Sequence, residues 1–247
     1  MSREGNDMNI LLLIGVFVLL FFGVKRQQSK EEFFSLEVAK GLQGVSAIFI
    51  ILHHGSQLLN RQREIPGAIN ILENAGAFFV GVFFFCSGYG LLKSLKTKEN
   101  YLKGFLKKRY LTIFLPYYGI NLIYLVYFLS QKTSYTTIEW IQYVTGIRMI
   151  NTNAWYVISI AFFYLIFYLA FRFFKKKWLS YSFLVIVMAL YIVTGIYRGH
   201  GDGSYFLQGE WWYITCPLLV VGMLFVEFEE KILAFVYLYI LLPLGMI

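Results

Sequence analysis

Apolar residues in this chain gather into long continuous runs separated by short polar stretches. Runs nearly free of charge lie at about 9–24, 44–59, 75–92, 111–130, 154–171, 178–197, 212–226 and 232–247. A helix crosses the hydrocarbon core of a bilayer with about 20 mostly apolar residues, within a range of about 17–25. Backbone in lipid must satisfy its own hydrogen bonds, so such runs are helices or strands of a closed barrel. Barrel strands alternate apolar and polar residues over about 10 positions. The run Ile48-Phe49-Ile50-Ile51-Leu52 does not alternate. The pattern predicts an all-α fold, a polytopic α-helical membrane protein of about 7–8 transmembrane helices.

The first run, Ile10 to Val24, is followed by Lys25-Arg26. A secretory signal carries its basic residues before the apolar stretch and ends in a small-residue cleavage site. Neither holds here, so residues 1–30 are expected to be an uncleaved membrane anchor and 31–247 the main membrane domain. No solenoid period or low-complexity tract interrupts the chain. The loops run to about 6–24 residues, too short for a soluble catalytic domain. Any chemistry belongs to residues in or beside the membrane helices.

Composition agrees. The 247 residues are 58% hydrophobic and 15% charged, against about 25% charged in soluble domains. Disorder is excluded by the abundance of apolar surface, and a disulfide scaffold by the presence of only Cys86 and Cys216. The net charge of +8 does not imply nucleic acid, because the charges punctuate apolar runs instead of clustering on a soluble face. They fix an orientation. Sixteen basic residues fall in the stretches 25–43, 93–109, 172–177 and at Lys231, and six fall in the alternate loops, while the fourteen acidic residues divide evenly. The positive-inside rule puts the basic loops of a multi-pass protein in the cytoplasm, with anionic lipid as a partner; the expected location is the plasma (inner) membrane.

Polar groups inside apolar runs mark candidate chemistry. The second run carries the richest set: Lys40, Gln43, Ser46, His53, His54 and Gln57. Helical spacing puts Gln43, Ile50, His54 and Gln57 on one face, with Ser46 and His53 on the neighbouring one. An imidazole suits general-base work on a hydroxyl; the pair also suits wetted side chains at a helix end. A metal site is not expected, since adjacent rings diverge and no carboxylate accompanies them. Ser87 sits among small residues that equally serve close helix packing. Lys107, Lys108 and Arg109 are anchors on the cytoplasmic side or phosphate binders for a cytosolic donor. Trp155 begins a later run, where an aromatic belt accounts for it.

Four of these pieces, in order, resemble the membrane-bound acyltransferase-3 family of O-acetylating enzymes. Lys40-Gly41-Leu42-Gln43-Gly44 followed by His53-His54 resembles its opening motif, in which a basic residue precedes a functional His by 11 positions. His54 matches that His, and Gln43 stands where Arg is usual. Phe84-Phe85-Cys86-Ser87-Gly88-Tyr89 resembles its Phe-Phe-x-x-Ser-Gly signature. Arg109 matches the first Arg of an Arg-x-x-Arg run, with Thr112 at the second, and Asn153-Ala154-Trp155-Tyr156 resembles the start of a later helix. The resemblance implies transfer of an acyl group, usually acetyl, from cytosolic acetyl-CoA (acyl-CoA) to a hydroxyl of an extracytoplasmic glycan or lipid-linked sugar, without metal. His54 would be the base, with His53 and Gln43 beside it in the motif. Arg109, Lys108, Lys107 and Lys40 would hold the donor, and Ser87, Ser46, Gln57 and Trp155 the acceptor or oxyanion. The family usually has about ten spans, so residues 31–247 are expected to be an acyltransferase-3-like domain incomplete at its C-terminus. Gln43 and Thr112 also fit a degenerate member acting in transport or assembly.

Overall fold

A computed structural model describes residues 34–61, 72–201 and 203–236, together with Ile14, Gly15 and Val18. Among the described residues from 34 onward, seven α-helices follow in chain order: α1 (Leu36–Arg61), α2 (Gly76–Thr97), α3 (Phe105–Ser130), α4 (Thr137–Thr145), α5 (Trp155–Phe173), α6 (Lys177–Arg198) and α7 (Pro217–Val236). There are no strands among the described residues, and the all-α expectation holds. Among the described residues five stretches are long and apolar enough to cross a membrane: Leu36–Leu59, Gly76–Thr97, Phe105–Ser130, Thr152–Phe173 and Lys177–Arg198. Most of the expected first run, at 9–24, and of the eighth, at 232–247, lies outside the described residues.

Three boundaries differ from the apolar runs for physical reasons. α1 and α3 begin about a turn or two earlier than the charge-free runs, because Lys40, Lys107 and Lys108 are good helix formers whose long stems tolerate a helix end. α7 passes through Glu227, Glu229, Glu230 and Lys231 without a break, where the seventh and eighth runs predict a turn. Neither Gly nor Pro punctuates that stretch, and Tyr89 Oη donates a hydrogen bond to Glu229 Oε1 at 2.7 Å. α4 was not expected at all. Thr136 caps it: its hydroxyl accepts from the Glu139 N–H at 3.3 Å, and Glu139 Oε2 accepts from the Thr136 N–H at 2.9 Å.

The chain divides into two compact units, Met1–Tyr89 with Gly222–Ile247, and Gly90–Val221. In the first, α1 and α2 run antiparallel. Phe49 stacks flat on Phe79 with centroids 4.4 Å apart, and Phe34, ahead of α1, sits edge-on to Phe85 and Tyr89. Phe225 of α7 closes that aromatic cluster at 5.6 Å from Phe85.

In the second unit α5 is the central helix, with Phe163, Phe167 and Ala170 fully buried. It packs antiparallel on α3 and on α6. Tyr110 Oη donates to the Ala161 carbonyl at 3.2 Å, and a Ser159–Tyr191 hydroxyl pair at 2.8 Å joins α5 to α6. Ser180 Oγ, at the start of α6, donates to the Ala170 carbonyl at 3.1 Å and fixes the tight α5–α6 turn. The α2–α3 and α5–α6 turns therefore share one end of this unit. At its other end the loops after α4 and α6 pair through the Arg148–Tyr205 bridge. Apolar residues of α3 face outward, Leu115 at 76% exposure and Ile123 at 65%, as lipid contact requires.

Candidate functional site: a histidine pair and a clamped arginine

The first unit holds Lys40, Gln43, Ser46, His53, His54, Gln57 and Ser87; the second holds Lys107, Lys108, Arg109 and Trp155.

On α1 the buried face is drawn by Ser46, Phe49 and Ser56, and His53 falls between them in angle. His53 Nδ1 lies 3.0 Å from the Leu72 carbonyl. A carbonyl only accepts, so the ring carries its proton on Nδ1. Its other edge lies on Gly76: a Cβ there would collide with Cδ2 and Nε2 of His53. Nδ1 of His53 is thus committed to a hydrogen bond, and the opposite edge of the ring packs on Gly76. His54 is half-buried, its ring 4.9 Å from that of His53 and tilted by 52°. The Gln57 side chain, three residues on, hydrogen-bonds its ring. The structure brings His53, His54 and Gln57 together at one end of the α1–α2 pair.

Gln43 and Ser87 stand elsewhere. Gln43 lies ten residues before His53, about 15 Å along α1, and Ser87 lies eleven residues after Gly76, about 16 Å along α2. Ser46 is buried two turns from His53. Lys40 is exposed a turn before Gln43.

Arg109 is half-buried and clamped. Its Nη2 donates to Tyr101 Oη at 2.7 Å, and the guanidinium lies over the rings of Phe105 and Tyr164 at 5.7 and 5.4 Å. Lys107 and Lys108 are exposed on the same helix. Thr112 donates its hydroxyl back to the Lys108 carbonyl at 2.8 Å. Trp155 opens α5 with its ring 6.0 Å from Trp212. No group of three or more His, Cys, Asp or Glu able to hold a metal ion occurs among the described residues.

Sequence reasoning does not find Leu72, Gly76, Tyr101 or Tyr164, since none is polar and charged enough to stand out in an apolar run. Their roles come from chain segments brought alongside.

The model of the acyltransferase-3 family, an acyltransferase domain, matches residues 39–247. The chain belongs to the acyltransferase-3 family. The match takes in the histidine pair, Ser87, Arg109 and Trp155, and so the whole candidate site of this acyltransferase-3 chain. No curated protein and no solved structure matches it.

Proposed function

We propose that this membrane acyltransferase moves an acyl group, acetyl in the simplest case, from acyl-CoA to a hydroxyl of an extracytoplasmic glycan or lipid-linked sugar. The observation that carries the reading is the division of labour in the histidine pair. His53 is anchored through Nδ1 to the Leu72 carbonyl with its other edge against Gly76, which favours the neighbouring His54 as the base. The His54 ring takes the acceptor hydroxyl's proton as the oxygen attacks the thioester carbonyl. The tetrahedral oxyanion then collapses, the C–S bond breaks, and the departing thiolate takes the proton from the imidazolium. Gln57 is the nearest amide donor on the same helix for the oxyanion, while Ser46 lies about 12 Å from His54 along it. Arg109, Lys107, Lys108 and Lys40 supply positive charge for the donor's phosphates. The basic loops then face the cytoplasm of the inner membrane.

The test is acylation of envelope glycan in cells expressing wild type, His54→Ala or His53→Ala. His54→Ala is expected to lose at least a hundredfold, the usual scale of a general base. His53→Ala should lose less and shift the pH profile, because it frees the neighbouring ring. Full acylation by His54→Ala overturns the assignment.

A second reading, a member of the family that lacks chemistry and serves transport or assembly, is favoured by Thr112. Its hydroxyl is spent on its own helix and does not replace a guanidinium. Acyl-CoA turnover by purified protein excludes that reading; binding without turnover supports it.

A further inference from the structure

Between α2 and α3 the chain turns through Asn100 (φ 51°) and Gly104 (φ 69°). The turn and the end of α5 line a half-open cavity of about 670 Å³, at which Lys98, Lys103 and Arg172 are exposed. Lys98, Asn100, Tyr101 and Lys103 line it from the turn, and Tyr168 and Arg172 from the last turns of α5. Tyr168 and Arg172 are four residues apart, one above the other on a single helix face. Tyr164, one turn earlier on that face, lies under the Arg109 guanidinium. Arg109 in turn bonds Tyr101 at the cavity wall. Phe105 stacks on Tyr168 with rings nearly parallel, 9° apart, at 6.3 Å. The aromatic walls are therefore held in place.

Three cations face this space and no carboxylate is among the residues lining it. Like charges gathered round a hollow repel one another, and an anion seated among them relieves that repulsion. The volume falls inside the range of about 300–1,000 Å³ common for small-molecule sites. A single phosphate headgroup uses the cations alone. Two phenol rings and an amide beside them suit a flat heterocycle attached to several phosphates, for which a guanidinium offers paired donors.

We propose that this cavity binds the phosphorylated adenine-nucleotide end of the acyl-CoA donor, with Lys98, Lys103 and Arg172 on its phosphates. The proposal rests on the donor reading above and moves the main phosphate contacts from Lys107 and Lys108 to the cavity.

Calorimetric titration of the purified full chain with coenzyme A and with pantetheine, which lacks the nucleotide, tests it. Lys98→Ala/Lys103→Ala and Arg172→Ala should each raise the Kd for coenzyme A tenfold or more and leave weak pantetheine binding unchanged. A folding defect would move both ligands together. Lys175→Ala/Lys176→Ala, which removes two cations outside the cavity, should change the Kd less than threefold. Wild-type affinity for coenzyme A in both cavity variants overturns this inference and leaves the donor reading intact. Failure of the wild type to bind coenzyme A overturns both. Displacement of coenzyme A by equimolar short-chain phosphatidylglycerol would assign the cavity to a lipid headgroup and overturn the proposal as well.

Discussion

Glycines carry opposite structural duties in this chain, and the difference is a matter of what stands opposite each Cα. Gly222 of α7 faces the α2 backbone: a Cβ there would strike the Phe85 carbonyl and approach the Tyr89 nitrogen. Backbone cannot swing aside as a side chain can, so Gly222→Ala must part the helices. Overpacking of this kind costs about 1–3 kcal/mol. Gly119, inside α3, has nothing within 4 Å of its missing Cβ. There the only effect of Gly119→Ala is the helix propensity gain of about 0.5–1 kcal/mol. Thermal unfolding in detergent should therefore move in opposite directions for the two variants. The same shift for both would show that close approach at Gly222 does not hold the first unit. The His53–Gly76 contact obeys the same rule, except that a ring can rotate and a carbonyl cannot.

At the scale of elements, α4 is the sharpest case of local chemistry deciding structure. Nine residues are too few to be helical alone in water, so the cap is needed. Thr136→Ala removes the hydroxyl that receives the Glu139 N–H and should cost about 1 kcal/mol, read as a lower Tm. The Glu139 carboxyl is held below its ordinary range by the Thr136 backbone N–H first, then by the Thr136 hydroxyl, with Arg148 adding at 2.9 Å. A depressed folded pKa contributes stability above the unfolded value and loses it as pH falls through the folded one. This part of the stability is complete at neutral pH and should fade below about pH 4. Glu139→Gln should flatten that acid limb, and an unchanged limb would remove the carboxylate from the account. The long helices are legible in the sequence because lipid demands unbroken apolar runs, and α4 is not because it never spans. Its signal was present in Thr136-x-x-Glu139 ahead of Ile138, Trp140 and Ile141. The continuity of α7 is hidden for a related reason: Glu227 to Lys231 have the composition of a loop, and the Tyr89 hydroxyl that partners Glu229 is distant in sequence. The histidine pair stands out as polar groups in an apolar run. Which ring is committed does not, since that depends on a carbonyl nineteen residues away.

At the scale of the whole molecule, the charge pattern acquires a geometric counterpart. Antiparallel packing of α3, α5 and α6 brings the α2–α3 and α5–α6 turns to one end of the second unit, and these turns carry Lys98, Lys103, Arg172, Lys175 and Lys176. At its other end lie Lys132, just after α3, Arg148 in the paired loops and Arg198 at the end of α6. Two turns distant in sequence thus place their cations on the same side, which is the arrangement an anionic cytoplasmic leaflet retains. Single-cysteine labelling tests the orientation directly. Cys86 and Cys216 are buried, so background reaction with an impermeant maleimide should be slow. Ser134→Cys should label in intact cells, whereas Lys176→Cys should label only after the membrane is opened. The reverse pattern would turn the basic cavity away from the compartment that holds thioesters of coenzyme A. Chemistry inferred from Lys98, Lys103 and Arg172 would then have no donor within reach, whatever the histidine pair does. Orientation is therefore the measurement on which the donor site depends most, and it requires no knowledge of the acceptor.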